Sequence, residues 1–243
     1  VLHPPHYERI EAEWDLASVV MVNSEWSKEA LVRQGVPEAK IEIIPIAYEP
    51  ESTSQAGPAE IDETSRPLRV LWLGSVILRK GIQYLVEAAE RLEGADIEID
   101  VVGPIGITDE ALAQAPSNMT FHGRAPRDEV DEWYRRSDVF VLPTLSDGFA
   151  ITQLEAMSHG LPVIATPRCG AVVEDEENGF VVPVRDPERL ADAIETLAAS
   201  PALRRSMSKE ARRRIDQYSL SRVGDQLVDM VDARTGPSLS TQK

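Results

Sequence analysis

Short apolar runs alternate with amphipathic stretches along most of this chain, and that alternation constrains its fold more than any other feature. From residue 68 onward the apolar runs cover 68–73, 97–102, 119–122, 139–142, 163–165 and 180–182. The run 139–142 is wholly apolar and 68–73 is broken only by Arg69, the pattern of strands buried on both faces of a parallel sheet. The run 97–102 is less clear, because Glu98 and Asp100 alternate with its apolar residues. Between the runs, helical spacing predicts helices near 81–92, 108–114, 127–136, 152–159 and 187–199, and 201–234 is mostly helical by composition. The order predicts an α/β chain with a doubly wound parallel sheet whose ligands sit at the carboxyl ends of the strands.

Ahead of this block, helices near 7–16 and 25–34 and strands near 19–22 and 41–44 make βαβ-like material, too little to shield both faces of a parallel sheet. Residues 48–67 are rich in Pro, Ser, Thr and Gly, with five acids between Glu49 and Glu63 and no base before Arg66, which reads as a linker or exposed loop. The expected organisation is therefore a first unit over 1–48, a linker over 49–66, a main domain over 67–234 and a flexible tail over 235–243. Because the chain opens on Val1 with no targeting character, we expect a fragment of a longer protein.

The net charge of −16, with bases in short local groups such as 212–214, argues against nucleic acid as a partner. No apolar run approaches the roughly 18 residues of a membrane span. With a single cysteine, Cys169, and no signal-peptide pattern, a cytoplasmic location is expected.

Two segments carry the chemistry. In the first, Leu71-Trp72-Leu73 runs into Gly74-Ser75 and then Arg79-Lys80-Gly81, a strand, a turn and a helix start with two bases. Unpaired helix N–H groups with full charge beside them suit an anion such as a diphosphate, although Gly74 equally serves to turn a chain whose bases are merely solvated. In the second, Pro143-Thr144-Leu145-Ser146-Asp147-Gly148-Phe149-Ala150-Ile151-Thr152 leaves another buried strand and enters a helix. Gly148 lets a ligand approach, and the amides of Phe149, Ala150, Ile151 and Thr152 are candidates for the helix's unpaired first turn. Glu155, about one turn in, is placed to accept both hydroxyls of a ribose diol. The alternative makes Asp147 a helix cap and Glu155 a solvated residue, though Leu154 and Ala156-Met157 put Glu155 on a partly buried face that needs a partner for its charge.

With Val101-Val102-Gly103, Phe121-His122-Gly123-Arg124 and Gly160-Leu161-Pro162-Val163-Ile164-Ala165-Thr166, these segments resemble glycosyltransferase family 4, the group 1 glycosyltransferases. The resemblance is close over about 68–199, and 18–47, including Val22-Asn23-Ser24 and Ile43-Ile44-Pro45, is similar to the end of that family's N-terminal domain. It implies the Rossmann-like GT-B architecture, two facing domains with the donor held mainly by the second and the acceptor by the first, most of which this sequence lacks.

By the same resemblance Lys80 corresponds to the lysine on the donor diphosphate, and Asp147 and Glu155 to the ends of a two-acid motif, with Glu155 on the ribose. Gly74, Ser75 and Gly81 belong to the first turn and Gly148 to the second, and the base is expected near the main chain around Gly103 and Arg124. The family usually has Arg where this chain has Ser75, so that phosphate contact is missing or is supplied by Arg79, and Asp147 is one methylene shorter than the usual Glu. The expected activity is transfer of a sugar from a nucleoside diphosphate sugar to an unknown acceptor with retention, without a cofactor or a required metal. Lys80, Arg79, Asp147 and Glu155 are the expected catalytic set, and the fragment alone is expected to bind donor but turn over slowly or not at all. Any peripheral membrane contact would belong to the absent half. The alternatives are a sugar-nucleotide epimerase or phosphorylase of the same architecture, or a non-catalytic nucleotide-sugar-binding module. Cys169 lacks a base partner and reads as inert. The four histidines, His3, His6, His122 and His159, have no metal-ligand spacing, and His122 reads as structural.

Overall fold

The computed structural model describes residues 4–50 and 66–235, so most of the expected linker and the tail beyond 235 lie outside the described residues. The described residues form two parallel sheets. The first is small: β1 (Val20–Val22) pairs with β2 (Ile41–Ile43), joined through α2 (Glu25–Arg33), with α1 (Pro4–Leu16) ahead of them. Ser24 starts α2 by accepting from the Ser27 amide (3.2 Å), the side-chain cap expected of a serine at that position.

The second sheet has six strands: β3 (Leu68–Leu73), β4 (Ile97–Val102), β5 (Met119–Gly123), β6 (Val139–Leu142), β7 (Val163–Ala165) and β8 (Gly179–Val181). Their spatial order is β5-β4-β3-β6-β7-β8, all parallel, which renumbered from β3 is the 3-2-1-4-5-6 order of a doubly wound nucleotide-binding fold. The helices are α3 (Ile82–Arg91), α4 (Asp109–Leu112), α5 (Val130–Arg135), α6 (Ile151–Ser158), α7 (Pro187–Ala199), α8 (Pro201–Ile215) and α9 (Leu220–Thr235).

The two-residue period of the strands divides the core in two. Val70 and Trp72 of β3 and Val139 and Val141 of β6 face α3 and α7, while Leu71, Phe140 and Leu142 face Tyr134 of α5 with α6 and α8. Each layer draws on fully buried side chains, worth roughly 1.5–3 kcal/mol apiece, which is why β6 tolerates no polar residue. The ambiguous run at 97–102 is β4, and its polar residues have a reason: Asp100 is held by His122 and, at 3.3 Å, by Arg136. His122 thus has the structural role expected of it, its ring 4.4 Å from Trp133.

Several expected boundaries move. The helix predicted from residue 81 begins at Ile82, after a 3-10 turn at Leu78–Lys80, because Gly81 takes a left-handed conformation (φ 80°) that a helix cannot include. The helix near 127–136 divides into a 3-10 turn, Arg127–Glu129, and α5, while that near 108–114 shrinks to α4. The last strand starts one residue early, since Gly179, a poor strand former, already pairs with Val163. Among the described residues no helix is long and apolar enough to cross a membrane.

Candidate functional site

The strand order reverses between β3 and β6, and the loops leaving these neighbours hold both segments that the sequence singles out. They are stitched together. The Leu145 amide donates to the Arg79 carbonyl (2.9 Å), and the Thr144 hydroxyl donates to the same oxygen (3.2 Å). A Cβ on Gly81 would stand 1.8 Å from the Pro143 carbonyl oxygen, so its glycine is required by the approach of two backbones. The same holds one strand over, where a Cβ on Gly103 would lie 1.7 Å from the Gly74 carbonyl oxygen. Gly74, Gly103 and Gly123 thus end three adjacent strands at one edge, with Arg124 exposed beside them and Ser75 exposed on the first loop.

Lys80 and Asp147, placed on separate loops by the sequence, form an ion pair with side chains only 19% and 17% exposed. Arg79 donates to the Ser146 carbonyl. Both bases of the first segment are therefore engaged with the second, and Asp147 caps no helix: the cap position of α6 is Ala150, which has no side-chain cap bond. The Ala150 amide is itself taken by the Cys169 carbonyl (3.1 Å), and Phe149 is buried with its ring 6.0 Å from Tyr218. Of the expected run of open amides that of Ala150 is thereby taken, while Ile151 and Thr152 stand at the helix's first two positions, beside Gly148.

Glu155 is not the solvated residue of the alternative reading. It lies partly buried in α6, and the Tyr134 hydroxyl donates to its Oε2 (2.8 Å). Burial, and then the Glu155 charge, push the Tyr134 phenol well above the ordinary tyrosine range, so it remains a donor. His159, at the end of α6, stacks on Tyr134 (5.1 Å between ring centres) and its Nδ1 lies 2.9 Å from the Glu155 carbonyl oxygen. Sequence reasoning missed Tyr134, whose only signal was an aromatic on the inward face of a predicted helix.

Four further residues were missed: Asn23, Trp26, Ser27 and Arg168. Trp26 Nε1 donates to the Ser146 hydroxyl (3.4 Å), the Arg168 guanidinium lies 3.8 Å from the centre of the Trp26 ring, and Asn23 and Ser27 face Gly148. A cavity of about 180 Å³ between the two sheets is lined in part by Asn23, Ile43, Phe149 and Tyr218. A larger one, about 640 Å³, is lined by charged residues of α8 and α9 and includes none of the expected site residues; one of its arginines, Arg214, is paired with Glu174 at 2.6 Å. Cys169 is fully buried, its thiol pushed up to about 12 by burial and then by the nearby Asp147, and the inert reading stands. Among the described residues no three His, Cys, Asp or Glu side chains are grouped so as to hold a metal ion.

A geometry of two stitched loops at the switch point of a 3-2-1-4-5-6 sheet is shared by many proteins, and comparison of the sequence decides among them. The family profile described as Glycosyl transferases group 1 matches residues 67–200, more than half of the chain. The chain belongs to the group 1 glycosyltransferases. Within this family it is similar to the alpha-D-kanosaminyltransferase of Streptomyces kanamyceticus, 32% identical over 192 residues that cover 73% of this chain and 49% of that protein. Among solved structures, sucrose-phosphate synthase from Thermosynechococcus elongatus superposes with a TM-score of 0.73 at 26% identity, over 96% of this chain and 64% of that one. The Anabaena protein HepE, solved in complex with UDP, shares the fold (TM-score 0.76, 18% identity, 96% of this chain and 70% of that one). This group 1 chain thus has the Rossmann-like sheet of the GT-B glycosyltransferases, and it spans about half the length of the curated relatives it matches.

Proposed function

We propose that this chain carries the donor-binding half of a retaining glycosyltransferase that takes its sugar from a nucleoside diphosphate sugar. The observation that carries the reading is the convergence of Lys80, Arg79 and Asp147, from two loops that leave adjacent strands at the switch point, next to the first turn of α6.

In this reading Lys80 exchanges Asp147 for the donor diphosphate and, with Arg79, balances the charge that grows on the leaving phosphate as the bond to the sugar breaks. The amides of Ile151 and Thr152 add the partial positive charge of a helix start. Asp147, released from Lys80, is left to accept from hydroxyls of the donor sugar. Glu155, steadied by Tyr134 on one oxygen, accepts the ribose hydroxyls, and the base rests near Gly103 and Arg124. The 18%-identical HepE binds UDP on this fold, which supports a nucleotide here without naming the base. The acceptor would be supplied with the remainder of the protein, whose relatives are about twice as long.

The test is calorimetric titration of the chain with UDP, GDP and ADP, repeated with Lys80→Ala and Glu155→Ala. Micromolar binding of one nucleotide, weakened roughly tenfold or more by each change, is expected. Binding of one nucleotide untouched by either substitution would remove these loops from the site, and binding of none would favour a non-catalytic module.

A further inference from the structure

We propose that Trp26, on the segment that precedes the six-stranded sheet, is a positioning residue for the phosphate end of the site, acting through the two residues that support Asp147. The inference rests on the reading of these loops as a diphosphate site.

Asp147 is supported from two sides. Ser146 precedes it in the chain and its carbonyl accepts from Arg79, while the Arg168 carbonyl accepts the Asp147 amide at 2.8 Å. One indole touches both supports: its N–H reaches the Ser146 hydroxyl at 3.4 Å, and the Arg168 guanidinium lies over its ring at 3.8 Å. Arg33, from the same helix, lies over that ring at 5.1 Å. A cation over an indole face is held by the quadrupole of the ring, and partial burial strengthens that attraction.

The start of α2 is built to keep Trp26 in place. Ser24 accepts the Ser27 amide, Ser27 donates to Asn23 Oδ1 (3.0 Å), and both Asn23 and Ser27 stand 3.2 Å from where a Cβ on Gly148 would be. The start of α2 thus stands close against the loop at Gly148, near enough to crowd even a methyl group there. When a diphosphate displaces the Asp147 carboxylate from Lys80, the backbone must hold its position while the side chain turns, and α2 supplies that hold. The grip on the donor is thereby coupled to the placement of the unit that precedes the sheet.

The experiment titrates the chain and its Trp26→Ala, Trp26→Phe, Arg168→Ala and Lys80→Ala variants with UDP, GDP and ADP and the matching monophosphates, with melting temperatures recorded in parallel. Trp26→Ala and Arg168→Ala are each expected to weaken the preferred diphosphate roughly tenfold, and its monophosphate distinctly less. Trp26→Phe, which keeps a ring face for Arg168, should retain most of the affinity. A Trp26→Ala chain that binds the diphosphate like the native protein, while Lys80→Ala does not, overturns this proposal alone. Equal weakening of diphosphate and monophosphate, or no recovery in Trp26→Phe, assigns Trp26 a purely structural role and also overturns it. Should the native chain bind no nucleotide, the reading of the loops fails and this proposal fails with it.

Discussion

Glu155 holds its carboxylate half inside the protein because a buried tyrosine points a hydroxyl at it. The Tyr134 phenol is pushed upward by its burial and by the Glu155 charge, so it does not lose its proton at any pH near neutrality and never becomes a second negative charge beside the acid. With Oε2 taken by Tyr134, the remaining acceptor capacity of Glu155 is what a diol can use. Replacing Tyr134 by Phe keeps the ring in the core, including its contact with His159, and removes only the donor. We expect this to cost about 1–2 kcal/mol of stability, read as a lower denaturant midpoint, and to weaken the bound nucleotide roughly fivefold by calorimetry. An unchanged nucleotide affinity would separate Glu155 from the ribose.

At the scale of elements, the site is a seam between two loops, and glycines set how tightly it closes. Gly81 has a left-handed backbone and no space for a side chain, its neighbour being the Pro143 carbonyl. Gly123 also has a positive φ (70°), but nothing stands within 4 Å of its missing Cβ. The two substitutions therefore separate strain from collision. Gly123→Ala should cost about 1 kcal/mol through backbone strain alone, whereas Gly81→Ala must force the loops apart, lowering the melting temperature further and abolishing micromolar nucleotide binding. Equal effects of the two changes on binding would mean that the seam does not shape the site. The helices also explain why sequence boundaries drift here: α3 and α6 each begin a residue away from expectation because loop closure, not the helix's own pattern, decides where the first turn starts.

Over the whole molecule the two ends of the sheet do different work. The carboxyl ends carry the proposed ligand site. At the amino ends Asp138 accepts from both terminal guanidinium nitrogens of Arg66 (2.7 and 2.8 Å) and from the Arg69 amide (2.8 Å), tying the entry of β3 to that of β6. With both side chains under a fifth exposed, Asp138→Ala removes the carboxylate that joins the Arg66 guanidinium to the Arg69 amide, at a cost of roughly 2–3 kcal/mol. Melting temperature should fall while nucleotide affinity in the folded protein stays as it was. A matching loss of affinity would show that the ends of the sheet are not independent.

How much of this could be read from the chain differs between the fold and the site. The apolar runs of β3 and β6, broken only by Arg69 near the entry of β3, announced a two-faced parallel sheet, because a strand covered on both sides has little place for polar residues. The motifs around Lys80 and Asp147 were legible for a similar local reason, since a strand, a turn and a helix start are contiguous in sequence. What no local pattern contains is the meeting of distant residues. Lys80 with Asp147, Tyr134 with Glu155, and Trp26 with Ser146 and Arg168 are separated by tens of residues or more in the chain, and the neighbouring of β3 and β6, the packing of α5 beside α6 on one face of the sheet and the packing of α2 on the second loop bring them into contact. The sequence by itself determined the elements, their parallel order and the family, because these follow from periodicity and contiguous motifs. Tertiary structure alone decided which charges pair, which amides stay open and which aromatic steadies which acid, because each is a distance between groups that the chain places far apart.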